Sequence, residues 1–385
     1  MRTQRTTRTA GTSRTLRSAA ILVVLAVPAV LSALAQSAPL STWPLFRADT
    51  SLSGRATGNL PAAPKPLWTF KAQKGITSTA AIVNGAVYVG SLDGNLYALD
   101  LATGKVRWTY KATNEIKSSP AVRDGVVYFG DEMGTFHAVD ARTGKRRWTF
   151  QAASGISSSA NFAPGCLAVG SYDQFVYCLS PRDGSVVWKV ETEGYVHGTP
   201  AVAGERVISA GCDGFLRVLN AKDGKELRRV SLGGYVGASP AMAGSRAYVG
   251  TFENEFLAVD VEAGKVLWRY EHAVRKFPFY SSPALAGGTV VFGGRDKLVH
   301  ALDAATGKAR WTFSARSAVD ASPAVLGNRV FAADKSGQLF ALDAATGKPV
   351  WRFDVGAGIE ASPAIAAGRL VIGAADGSLY CFGAK

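Results

Sequence analysis

The chain has 385 residues, of which 47% are apolar and 19% charged, with 42 glycines and only 3 methionines. That apolar share excludes a disordered chain, and the glycine-rich, methionine-poor usage points to a turn-rich all-β protein. The formal net charge of +14 is spread along the chain, and with the export signal below it excludes nucleic acid as the expected partner.

Residues 1–35 read as a secretory signal peptide. Arg14 and Arg17 end a basic stretch without acids, an apolar run follows, and Ala33-Leu34-Ala35 supplies a small–x–small cleavage site. An uncleaved anchor is the competing reading, opposed by Pro28 and by the shortness of the run. Removing the signal's five arginines leaves +9. No cysteine follows the cleavage site to accept a lipid, so the expectation is a soluble periplasmic or secreted protein with no membrane span. Residues 36–66 are predicted to be an irregular lead-in, lying across the ring near its closure.

From residue 67 onward the chain repeats. Trp68, Trp108, Trp148, Trp188, Trp268, Trp311 and Trp351 recur at spacings of 40, 40, 40, 80, 43 and 40, with Arg228 filling the double gap. A Gly turn such as Thr143-Gly144-Lys145 precedes most of them. One copy reads as four short strands, A at residues 118–122, B at 126–130, C at 136–140 and D around Trp148, each bounded by Gly or Asp turns. Strands at a fixed period near forty predict propeller blades. Pro120, Pro200, Pro240, Pro283, Pro323 and Pro363 are expected inside strand A. Proline cannot donate to a ladder, which makes strand A the edge strand facing the central channel. Seven copies are complete, the eighth lacks strand D, and residues 67–70 form an orphan D strand. Pairing these ends predicts an all-β, eight-bladed propeller of four-stranded antiparallel blades over residues 67–385, with no exposed edge at the closure.

Cys166 and Cys178 fall on neighbouring strands of one hairpin, where a local disulfide and a pair of small buried thiols are both possible; the thiol reading is preferred. His137 and His300 share a strand C slot that is aromatic in several other copies and read as packing residues, while His197 alone is placed to see the channel. No metal site is expected from scattered histidines, and no nucleophile, phosphate-loop or zinc motif occurs.

Alignment of the copies separates a constant position from a variable one. Strand A carries a hydroxyl in every blade: Thr79, Ser119, Ser159, Thr199, Ser239, Ser282, Ser322 and Ser362. Two residues earlier stand Thr77, Lys117, Ser157, His197, Gly237, Tyr280, Asp320 and Glu360. Recurrence builds blades, whereas variation leaves a position free for recognition or merely for solvent. The D–A and B–C loops emerge on the variable side, where the insertion before blade six adds Arg275, Lys276 and Phe277 ahead of Tyr280. Lys117, His197, Arg275, Lys276, Phe277, Tyr280, Asp320 and Glu360 are therefore the candidate partner- or ligand-binding residues. Lys105, Lys145, Lys225, Lys265, Lys308 and Lys348, with Arg206, Arg246, Arg329 and Arg369, ring the opposite face. They suit an anionic surface or simply keep the turns solvated.

Residues 98–108, Ala-Leu-Asp-Leu-Ala-Thr-Gly-Lys-Val-Arg-Trp, resemble the tryptophan-docking motif of the pyrroloquinoline-quinone-like propeller family, as do residues 138–148, 301–311 and 341–351. Trp43-Pro44-Leu45-Phe46-Arg47 resembles a leader of its exported members. The resemblance spans the mature chain and implies tryptophans docked between blades, with looser or partner-dependent docking at Arg228-Arg229. It implies one of two functions. Quinoprotein dehydrogenases of the family bind the quinone with Ca²⁺ above the channel, but they are longer and often carry an adjacent cysteine pair that this chain lacks. Outer-membrane assembly factors are eight-bladed scaffolds without a cofactor. The expectation is the second: a non-enzymatic scaffold that binds a protein on the variable face, with no catalytic residue and no cofactor. The quinone-dependent enzyme, or a remnant that still binds quinone, is the alternative, and sensing of a small ligand or polymer is a third class.

Overall fold

The computed structural model describes residues 41–385; the predicted signal peptide lies outside them. Eight four-stranded antiparallel sheets form the predicted blades. Blade two shows the pattern: A is Ala121–Arg123, B is Val126–Gly130, C is Thr135–Asp140 and D is Arg146–Gln151. B and C are covered on both faces by neighbouring blades, so they are almost continuously apolar and buried. D is the outer edge and alternates exposed with half-buried residues. In blade eight, Ala364–Ala366, Arg369–Gly373 and Ser378–Gly383 are completed by Lys65–Lys71, with Trp68 opposite Cys381 and Phe70 opposite Leu379. No helix among the described residues is long and apolar enough to cross a membrane.

The tryptophans dock each blade onto the next. Trp108 Nε1 donates to Ala141 O at 3.1 Å and Trp188 Nε1 to Ala221 O at 2.8 Å, with Trp68, Trp148, Trp268 and Trp311 bonded alike. Each indole lies on the turn glycine of the next blade. Gly144 has φ +71°, and a Cβ there would come within 2.8 Å of the Trp108 ring, so the turn and the dock both demand glycine. Trp351 instead meets Phe382, at 5.7 Å between ring centroids. Arg228 takes the tryptophan's place in blade four and keeps the bond, Nε donating to Glu262 O at 3.2 Å. Its stem lies on the turn glycine Gly264, where a Cβ would come within 3.0 Å of Cδ. The groove of about 350 Å³ beside it matches one of about 340 Å³ at the Trp188 dock, so it does not set this dock apart as the looser one expected.

Three expectations need correction. The prolines stand just ahead of strand A rather than within it, because the strand is only three residues long. Cys166 and Cys178 are joined in a disulfide, with Cα atoms 5.5 Å apart. Cys178 lies opposite Ala168, two residues from Cys166, so the cysteines are same-face diagonal neighbours within reach of one another. The lead-in does not stay near the closure but circles the channel. Carbonyls of Trp43, Pro44, Thr50, Ser51, Ser53 and Gly54 accept from the strand A amides of Ile82, Val122, Val202, Met242, Leu285 and Val325 in turn. Asn161 Nδ2 bonds Thr50 O in blade three, and Ala367 N reaches Ser41 Oγ in blade eight. Arg329, placed by sequence in the basic ring, donates at 2.6 and 2.7 Å to Leu60 O and Pro61 O and clamps the segment's exit.

Trp188 is 7% exposed and makes the shortest of these dock bonds. Its replacement by alanine is expected to cost about 3–5 kcal/mol, whereas Arg228→Trp should raise the urea midpoint by adding the apolar contact between blades that the other docks have. Equilibrium denaturation of both variants checks the pair.

Candidate functional site at the mouth of the channel

The constant hydroxyls form a closed hydrogen-bonded ring. The amide of Thr79 donates to Ser119 Oγ at 3.0 Å, Ser119 N to Ser159 Oγ at 2.8 Å, and so on until Ser362 N donates to Thr79 Oγ1 at 3.3 Å. This ring is the neck of a funnel, a space of about 130 Å³ lined also by Phe46 of the lead-in and by the variable residues Lys117, His197, Tyr280, Asp320 and Glu360. Above the neck it opens to about 390 Å³, walled by the variable ring with Leu92, Arg295 and Lys335.

The variable residues are not independent solvent-facing groups. Lys117 Nζ donates to Glu132 at 2.9 Å, and Ser157 Oγ donates to the same carboxylate. His197 stands between two phenols, with Tyr172 Oη 2.5 Å from Nδ1 and Tyr280 Oη 2.6 Å from Nε2. The Arg295 guanidinium lies 4.9 Å over the Tyr280 ring and clasps Asp320 with two bonds of 3.0 and 3.1 Å. Lys335 joins Asp320 at 3.6 Å to Glu360 at 2.6 Å. Three cations thus meet three carboxylates in a belt that runs most of the way around the mouth.

Tyr280 reaches His197 only by crossing blade five. A Cβ on Gly237 would come within 2.8 Å of both Tyr280 and Phe252, so the glycine in the variable ring is the passage for the phenol. Burial holds the His197 pKa below its ordinary value, Glu132 opposing this and Lys117 adding to it. Burial likewise raises the Tyr172 and Tyr280 phenols. All three groups are neutral near pH 7, as a relay of phenol, imidazole and phenol requires.

The inserted loop divides its predicted residues between two roles. Phe277 is 49% exposed and Val274 83% exposed, while Phe279 is buried. Arg275 Nη1 donates back to the backbone carbonyl of Asp296 at 2.8 Å, while Lys276 pairs with the Glu271 carboxylate at 2.5 Å. Sequence reasoning missed Tyr195 and Tyr235, 54% and 61% exposed on the adjacent D–A loops, because each stands outside the aligned slot. His137 and His300 are more than packing residues: each ring is buried, bonds a B–C turn aspartate (Asp131 at 3.0 Å, Asp296 at 2.9 Å) and meets a strand D phenol, Tyr110 or Tyr270. The sequence signal was an Asp in the turn four or six residues before the histidine. No group of three or more His, Cys, Asp or Glu arranged to hold a metal occurs among the described residues.

Because the native His197 ring resists protonation, the unfolded chain binds more protons below about pH 6.5, and this site's contribution to stability falls as pH drops through that value. Gly237→Ala should push Tyr280 off the ring, admit water and return the His197 titration toward pH 6.5. Imidazole proton shifts followed against pH in both proteins would show it.

A family model described as outer membrane protein assembly factor BamB matches residues 60–171, 132–271, 172–311 and 295–385. Comparison with curated proteins finds no match. Among solved structures, BamB from Moraxella catarrhalis is 18% identical with a TM-score of 0.73, over 84% of this chain and 100% of that one. The computationally designed Ika8 protein is 20% identical at TM-score 0.75, over 83% of this chain and 100% of its own. Quinohemoprotein alcohol dehydrogenase from Comamonas testosteroni is 14% identical at TM-score 0.77, over 89% of this chain and 80% of its own. At such identities the likeness is one of fold. The family matches, in contrast, overlap without a gap from residue 60 to the last, and the chain belongs to the PQQ-like repeat β-propeller family that the BamB description covers.

Proposed function

We propose that this protein is a non-enzymatic, extracytoplasmic scaffold that docks a protein partner on the face bearing the D–A and B–C loops. The observation that carries the reading is the rim itself. Tyr195, Tyr235, Val274 and Phe277, between 49% and 83% exposed, stand around a funnel whose charged groups are already paired with one another. Exposed aromatic side chains beside a preorganised polar centre are the composition of a protein-docking surface. The Cys166–Cys178 disulfide and the predicted signal peptide support an oxidising compartment outside the cytoplasm. BamB, whose family description the chain matches, is named for outer-membrane protein assembly, and a role of that kind is the one we favour.

The likeness to a quinohemoprotein dehydrogenase raises the enzymatic alternative. The residues in the funnel do not fit a quinone with Ca²⁺. Asp320 is clasped by Arg295, Glu360 is bonded by Lys335, and Glu132 is shared by Lys117 and Ser157, so a metal would have to displace a cation from each.

A photo-crosslinker at Phe277, and separately at Tyr235, should trap a discrete protein in the native host, while one at Lys145 on the opposite face should not. Mass spectrometry of the adducts identifies the partner. Absence of an adduct at both rim positions, together with stable quinone absorbance after addition of PQQ and Ca²⁺, would overturn the scaffold reading in favour of the enzyme.

A further inference from the structure

The charge of +9 that follows the predicted signal is not shared evenly between the two faces of the propeller. On the D–A and B–C loops acids match or outnumber cations, whereas on the A–B and C–D turns cations clearly outnumber acids. Lys105, Lys145, Lys225, Lys265, Lys308 and Lys348 stand at one equivalent place in six C–D turns. All six are exposed, and none forms an ion pair among the described residues. The acids of these turns are committed elsewhere. Asp100, Asp140 and Asp303 each hold the strand D arginine of their own blade (Arg107, Arg147 or Arg310) at 2.8, 2.8 and 2.6 Å. Asp260 and Asp343 accept from backbone amides of the turn and feel Lys265 and Lys348 only through space. Blade two adds Arg142 and Arg146, exposed and likewise without an ion pair among the described residues, and is the most basic sector.

Two further features lie on the same face. Val106 and Val350, 48% and 51% exposed, follow Lys105 and Lys348 at its rim, and Val186 and Val187 are exposed where blade three has Ser185 in the lysine's place. Lysine stems and such valines present apolar carbon beside the ammonium groups. The first described residue, Ser41, also lies here. Its Oγ accepts from the amide of Ala367 in the A–B turn of blade eight, so the preceding chain, which has no acid in residues 1–40, joins the ring on this face.

We propose that the face bearing the A–B and C–D turns rests on an anionic phospholipid surface, with headgroup phosphates opposite the unpaired lysines and blade two as the principal point of attachment. Each exposed cation gains from the negative potential of such a surface, and the contributions of a ring of them add while the turn acids stay engaged within the protein. An acidic protein would offer the same sign of charge, but it would have to match lysines spread over six blades. A fluid layer of headgroups presents phosphate wherever a lysine stands. The loop face then points away from the bilayer, and the attachment does not depend on what that face binds.

Co-sedimentation of the protein with vesicles tests the proposal. Vesicles of equal parts phosphatidylglycerol and phosphatidylcholine should bind it at low salt, and vesicles of phosphatidylcholine alone should not. Binding should be lost as salt shortens the Debye length from about 10 Å at 0.1 M to about 3 Å at 1 M. Arg142→Glu, Lys145→Glu and Arg146→Glu together should weaken it about a hundredfold, about fivefold for each cation removed. The same change of net charge on the loop face, by Lys74→Glu, Lys111→Glu and Arg316→Glu together, should have a far smaller effect. Hydrogen exchange of the wild-type protein on the vesicles gives a second reading that needs no variant, with protection expected at residues 141–146 and not on the D–A loops. Failure to bind the anionic vesicles, or equal losses in the two variants, would overturn the proposal. So would binding indifferent to salt and lipid charge, which would place the attachment in an apolar segment. A discrete protein crosslinked at Lys145 would overturn it in favour of an acidic protein.

Discussion

The structure turns on the unpaired edge of strand A. Eight such edges face one channel, and each presents backbone donors that no neighbouring strand can take. Three devices remove them. The first donor, at the hydroxyl position, is accepted by the hydroxyl of the next blade. The next residue is proline in six blades and has no N–H to satisfy. The donor two residues farther on, as in Val122 or Val202, bonds a carbonyl of the lead-in. At about 1 kcal/mol for each net hydrogen bond, none of these contacts is strong alone. Leaving the same donors buried and unmatched would cost more than making the bonds gains, and so the ring, the prolines and the lead-in are one solution.

The lead-in accepts strain to fulfil its part. Arg47, Ala48 and Leu52 hold φ of +66°, +77° and +57°, a region that side-chain-bearing residues seldom occupy. Such a backbone persists only where its surroundings determine it. Here the determination comes from carbonyls that must be aimed outward at successive blades within a dozen residues. A regular strand or helix would aim them along one line or at itself. An irregular coil is the conformation that a circular set of donors demands.

The repeat skeleton was legible in the sequence because it recurs: tryptophan period, turn glycine, strand A hydroxyl and the orphan D strand all follow from one forty-residue template. What could not be read is what occurs once. The lead-in has no second copy to reveal its register, and its partners are backbone amides spread over the whole chain. Gly237 looked like one more variable residue, since its meaning depends on a phenol arriving from position 280 across blade five. The disulfide was ambiguous for a different reason: a hairpin places two cysteines on adjacent strands, but a diagonal pair and a staggered pair differ only in local register. Sequence locates a charge but not its partner: Lys117 and Lys276 pair with carboxylates, whereas Arg275 and Arg329 bond backbone carbonyls.

Departures from the template concentrate in blades four to six. Arg228 replaces the docking tryptophan, and Arg217 takes a strand C slot that is aromatic or histidine in six other blades and Leu257 in blade five, its buried guanidinium bonded to Asp213 and 3.2 Å from Glu226. Gly237 opens the ring in blade five, and the insertion precedes blade six. Gly237 lets the Tyr280 side chain of blade six cross blade five to bond His197 of blade four, and Tyr195, Tyr235 and Phe277 are exposed on the same sector. The symmetry is thus broken in one sector while the neck hydroxyls stay constant in every blade, which sets one side of the ring apart from the rest.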